Sequence, residues 1–224
     1  MADAIGQSLS FAVGVAISPV PIIGVVLMLG TPRARSNGLS FLAGWIGGIA
    51  VVGAVILVAA GGIGPTDGGQ PADWVSVLKL LLAAVLVRVA FRQWRGRPRE
   101  GAEPELPKWM ETIDGFTAAK AGGFGVLLAS INPKNLLLVV AGAAAIAQTD
   151  ASTGDQAVAL AVFAAVASVG VGTPLAIYLG MGDRADRILA EFKGWMGRHN
   201  AAIMAAICLI IAAKLVGDAL SALG

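Results

Sequence analysis

Two proline-bracketed interruptions, Ser18-Pro19-Val20-Pro21 and Asn132-Pro133-Lys134-Asn135, each fall near the middle of a long apolar stretch. Proline has no backbone N–H and clashes with the preceding turn, so a helix breaks or kinks there. In hydrocarbon the freed backbone groups need partners. Such breaks therefore persist only when buried in protein or facing a wet cavity. The chain around them demands a membrane: 57% of its residues are hydrophobic and 13% charged, against about 25% charged in a soluble domain. Two matched breaks at mid-membrane depth are the sequence signal that points to a transporter's binding site.

A membrane span needs roughly 20 largely apolar residues. Six stretches meet this, at about 5–29, 39–60, 74–92, 116–147, 156–179 and 200–223, with the breaks in the first and fourth. The lack of any Lys or Arg before Arg33 leaves no basic region for a cleaved signal peptide, so the first stretch is expected to be retained. Basic residues follow the first span (Arg33, Arg35), the third (Arg92, Arg95, Arg97, Arg99, Lys108) and the fifth (Arg184, Arg187, Lys193, Arg198). The connections after the second and fourth spans carry Asp67, Asp73, Asp150 and Asp155 instead. The alternation puts the three basic connections in the cytoplasm and both termini outside it. The expected fold is an all-α integral membrane domain over 1–224, in which two three-span repeats (about 1–92 and 116–224) have opposite orientation and are joined by a cytoplasmic linker at about 93–115. Around the breaks, either Pro21 or Pro19 can be matched to Pro133. The linker reads as a solvated connection, or as an interfacial helix beginning at Pro107 with Trp109, Met110 and Ile113 against the membrane.

Lys134 is the first candidate for chemistry. An intramembrane charge is costly and marks function by default. A broken helix also exposes a positive half-dipole and free N–H groups that favour an anion, to which Lys134 would add a full charge. Asn132 and Asn135 can satisfy the loosened backbone or hold polar groups of a substrate. With Ser18, Pro19, Pro21 and Pro133 they form the candidate substrate site. Lys79 and Lys214 fall in the outer half of the membrane, and Asp218 follows Lys214 by one turn, where the two can pair. These three line an outer vestibule, or Lys79 snorkels and Lys214–Asp218 is a local ion pair. Gly44 with Gly48, Ala50 with Ala54, and Ala202 with Ala206 are small-residue pairs suited to helix packing within or between protomers. Pro174 is expected to kink the fifth span. Met204 and Cys208 read as core.

Enzyme signatures are missing: the sequence has no zinc-protease motif, nucleophile elbow or Walker A loop. No catalytic residue, cofactor or metal site is expected. One cysteine and one histidine cannot build a cysteine cluster or a His-rich site. A few loop arginines give nucleic acid no binding surface.

The proline-bracketed break in the first span and Asn132-Pro133-Lys134 in the fourth resemble the lysine-exporter (LysE) superfamily. Length and span count agree. Within it the chain is similar to the GAP family, also called Sap, of actinobacterial proteins associated with addressing glycolipids or sulfolipids to the cell surface. Val20 departs from the glycine of the amino-acid exporters, where close backbone approach is possible. The resemblance implies a secondary transporter or flippase, without an ATPase motif, that carries an anionic lipid or glycolipid precursor outward through the cytoplasmic membrane. The substrate would lie between the first and fourth spans with its headgroup on Lys134. Membrane lipids, a second copy of the chain in a symmetric homodimer, and cell-envelope lipid-synthesis enzymes are the partners implied. Export of a small amino-acid-like metabolite or ion is the alternative within transport. A non-transporting scaffold for a lipid-synthesis enzyme is the alternative outside it.

Overall fold

The computed structural model describes residues 1–62, 73–96, 112–113, 115–182 and 184–223. Among these, the chain is helical with short connections. Its elements are α1 (Ala2–Ala16), α2 (Pro19–Leu29), α3 (Ala34–Gly62), α4 (Asp73–Arg95), α5 (Ala118–Ser130), α6 (Pro133–Ala147), α7 (Thr153–Met181) and α8 (Arg184–Leu223). Local chemistry fixes most boundaries. Thr117 caps α5 by accepting from the Lys120 amide, and Ser152 caps α7 by accepting from the Asp155 amide, each satisfying an orphan donor of the first turn. Gly182, with φ 53°, ends α7 in a backbone conformation that costs glycine little.

Each expected broken span is a bent pair. α1 and α2 meet at 51°, and α5 and α6 at 65°. Among the described residues, three helices are long and apolar enough to cross a membrane, and up to five spans result if each bent pair counts as one. α4, which carries Lys79, Arg88 and Arg92, lies outside that count. Exposed apolar side chains such as Val51, Val55, Val58, Leu209 and Ile210 cover the outside of the helices, as a lipid-facing surface requires. The chain is a multi-pass membrane protein.

Packing between the halves is close because glycine permits it. A Cβ on Gly44 would fall on the carbonyl oxygen of Gly122, and one on Gly125 on that of Phe41, so the α3 and α5 backbones touch. The Gly44–Gly48 pair is thus an intrachain contact, whereas Ala202 and Ala206 face outward. Asn37, fully buried, ties the same pair by donating from Nδ2 to the Phe116 carbonyl at 3.0 Å. A second backbone approach joins α7 to α1, where a Cβ on Gly170 would meet the Ala16 carbonyl oxygen. Pro174 sits within a continuous α7 and removes the N–H that would have bonded to Gly170, so the carbonyl it frees lies at this contact. Phe11, Phe41, Trp45, Leu138, Phe163 and Ile211 fill the core between these helices.

Two sequence expectations change. The basic segment 184–199, read as a connection, is helical, and α8 runs unbroken for 40 residues. Arg184, Asp186, Arg187, Glu191 and Arg198 are exposed while Ala185, Leu189 and Met196 are buried, so amphipathic periodicity carries the helix past the apolar stretch. Ile113, expected at the membrane interface, is 1% exposed and belongs to the main core. Pro107, Trp109, Met110 and the charged part of the linker lie outside the described residues.

Candidate functional site

The Asn132–Asn135 break is built from its own side chains. Pro133 takes the first helical position of α6, where a missing N–H costs nothing. Asn132 precedes it in extended conformation and caps the helix, its Oδ1 accepting from the Lys134 amide at 3.2 Å. Asn135 is fully buried and reaches back to α5, donating from Nδ2 to the Leu128 carbonyl at 3.2 Å. That bond satisfies a carbonyl left free where α5 ends. Lys134 lies between these two asparagines with 2% exposure, and its Nζ has no hydrogen-bond partner.

The Ser18–Pro21 break follows the same plan with one difference. Pro19 occupies the first position of α2 and Ser18 stands extended before it. Pro19 thus holds in α2 the first helical position that Pro133 holds in α6. A capping serine normally accepts from the second or third helical amide. Here the third position is Pro21, which has no N–H. Ser18 makes no cap bond, and its hydroxyl is buried and unpartnered. With proline at two of its first three positions, the start of α2 also offers an anion fewer donors than the start of α6.

Helices α1 and α6 pack against each other. Gln7 and Phe11 of α1 border the same cavity as Gln148, Ala145 and Ala141 of α6, and a Cβ on Gly14 would lie 3.1 Å from Leu138. The helices thus run antiparallel, with Leu138, one turn beyond Lys134 on α6, at the level of Gly14. Cys208 of α8 lies close enough to Lys134 for the two groups to interact electrostatically. Ser18 Oγ, Lys134 Nζ and Asn135 Oδ1 are all buried without a partner. A buried ammonium lacking a counter-charge costs several kcal/mol, and buried polar groups are otherwise almost always bonded.

Lys79, Lys214 and Asp218 do share a cavity, of about 400 Å³, between α1, α4, α6 and α8. Lys214 Nζ lies 2.7 Å from Asp218 Oδ2 and 4.9 Å from the centre of the Phe11 ring. The expected Lys214–Asp218 pairing is present, and Lys79 borders the same cavity. Lys134, Ser18 and the asparagines do not line this cavity. At the far end of the bundle, Arg33, Arg35 and Tyr178 line an open depression, and Ile22 and Ile23 of α2 pack on Met196 of α8 with Phe192 beside them. Gln7, Phe11 and Gln148 line the cavity and Gly14 packs beside it, none of them singled out by the sequence reading, whereas Cys208, read as core, lies in the core. Their neutral side chains carry no motif, and only the antiparallel register of α1 and α6 assembles them.

Comparison with curated proteins and with solved structures gives no match. The family model described as Sap, sulfolipid-1-addressing protein (SfLAP), matches residues 9–221, and the chain belongs to that family.

Proposed function

We propose that the protein is a secondary transporter or flippase of the LysE superfamily and its GAP branch, moving an anionic lipid or glycolipid precursor from the inner to the outer leaflet of the cytoplasmic membrane. Six spans form two inverted repeats, α1–α4 and α5–α8, with both termini outside. The observation that carries the reading is that both helix breaks hold buried polar atoms with no hydrogen-bond partner among the described residues: Ser18 Oγ at one, Lys134 Nζ and Asn135 Oδ1 at the other. A site that keeps an ammonium, a hydroxyl and an amide oxygen dry and unbonded is prepared for a ligand with acceptors for the first two and a donor for the third. The headgroup of a glycolipid supplies both kinds of group.

The family match supports a lipid substrate, and the distribution of charge supports the orientation. Arg33 and Arg35 sit at the end of the bundle where α2 and α8 are packed together, which the positive-inside rule makes cytoplasmic. The Lys79–Lys214 cavity is at the other end. The fold is then open outward and closed inward, one of the two states that alternating access requires. The closed side equivalent to the cavity is the contact of Ile22 and Ile23 with Met196.

Flipping of a fluorescent anionic glycolipid in proteoliposomes tests the reading. Lys134→Gln is expected to abolish it while leaving insertion and thermal stability intact. Wild-type flipping by that variant would sink the headgroup pairing. If instead deleting 96–107 destroys function in cells and Lys134→Gln does not, the chain is a scaffold for a partner enzyme.

A further inference from the structure

The cavity and the buried lysine lie on one line through the protein. Along α1 and α6 the cavity wall ends at Phe11 and Val140, with Leu215 of α8 also lining it. The next layer is apolar: Gly14, Leu138 and Ile211, where a Cβ on Gly14 would lie 2.5 Å from Ile211 and 3.1 Å from Leu138. One turn further along α6 stands Lys134, which interacts electrostatically with Cys208 of α8. One shell of side chains, closed against a residue with no side chain of its own, thus separates an open cationic cavity from a sealed cationic site.

The cavity has its own charge logic. It holds two ammonium groups and one carboxylate. Asp218 is engaged by Lys214, and Lys79 has no ion-pair partner among the described residues, though it feels the fields of both Asp218 and Lys214. One positive charge is left over. Gln7, Gln148 and Ser221 add neutral hydrogen-bonding groups, while Val140, Leu82 and Phe11 give apolar wall. Gln7 also donates to Asp3 at the exposed start of α1, so no second carboxylate enters the cavity itself. A volume of about 400 Å³ suits a small headgroup rather than a whole lipid.

We infer that this cavity is a second binding station, for a monoanionic oxyanion headgroup such as a sulfate ester or phosphodiester, and that Gly14, Leu138 and Ile211 form the seal between it and the Lys134 station. The inference deepens the transport reading above and rests on it for the role of Lys134. Lys79 is the cavity's anion-binding charge, and Lys214 is held in place by Asp218 and Phe11. Passage outward requires Leu138 and Ile211 to part, which the absence of a side chain at Gly14 allows without moving α1.

Cys208, the single cysteine and 1% exposed, reports on the seal. The full chain in nanodiscs of zwitterionic lipid is treated with methanethiosulfonates of equal size and opposite charge. Wild type should label slowly. Leu138→Ala, or independently Ile211→Ala should the first not fold, should raise labelling about tenfold, with the anionic reagent faster than the cationic one and that preference reduced by Lys79→Gln. Hexadecyl sulfate should protect Cys208 in the opened variant. Inorganic sulfate protecting equally well would assign the station to a free oxyanion, and protection by the amphiphile alone would assign it to a lipid headgroup. Unchanged labelling in both opened variants, or a faster cationic reagent, overturns the two-station path. Because nanodiscs expose both faces, the result does not depend on orientation, and Lys134→Gln flipping tests the transport reading separately.

Discussion

Asn135 Nδ2 donates to the Leu128 carbonyl oxygen at 3.2 Å, spanning the break from the start of α6 to the end of α5. The bond fixes how the two half-helices meet and hence where Lys134 stands between them. Asn135→Leu leaves the carbonyl unbonded in a buried setting, at a cost of about 1–3 kcal/mol. Thermal unfolding in detergent should show the loss. A variant as stable as wild type would mean that the 65° bend is held by packing alone.

The two capping residues should respond in opposite ways. Asn132→Ala removes a cap bond and should cost about 1 kcal/mol. Ser18→Ala removes a buried hydroxyl that bonds nothing, so stability should hold or rise while transport falls. Equal destabilisation of both variants, measured by unfolding in the same detergent, would show that the Ser18 hydroxyl has a partner.

Gly44 and Gly47 make a matched test on one helix. Gly44→Val drives a side chain into the Gly122 backbone, which no rotamer change can relieve, and about 3 kcal/mol or more should be lost. Nothing lies within 4 Å of a Cβ at Gly47, and Gly47→Ala should stay within about 0.5 kcal/mol of wild type. Expression yield and melting temperature distinguish the two.

Lys214 and Asp218 are only partly buried, so their ion pair should contribute little to stability. A double-mutant cycle with Lys214→Ala and Asp218→Ala should give a coupling of about 0.3–1 kcal/mol, weakened by salt. A coupling several times larger would mean that the cavity is drier than its opening implies.

Hydropathy and proline chemistry made the broken spans legible from sequence, and i,i+4 spacing made Lys214–Asp218 legible. Both signals are local. The matching first-turn positions of Pro19 and Pro133 were not readable, because they rest on where each helix begins rather than on residue identity. The helical state of 184–199 was hidden by its charge, since hydropathy locates membrane depth and not helix ends. The seal at Gly14, Leu138 and Ile211, and the contact of Gly170 with Ala16, are pairings between distant helices that no spacing rule encodes. The candidate residues thus came from local chemistry, whereas their division into an open cavity and a closed site came from the register of α1 against α6.

The unbroken α8 has a mechanical consequence. Forty residues at 1.5 Å each make a rod of about 60 Å, twice the hydrocarbon thickness of about 30 Å. One end carries Lys214 and Asp218, and the other carries Phe192 and Met196. A tilt of a few degrees that narrows the first end must swing the second by a comparable arc in the opposite sense. Under the proposed transport reading the helix would act as a tiller: headgroup occupancy at one end would be felt as displacement at the other without any signal passing through the core.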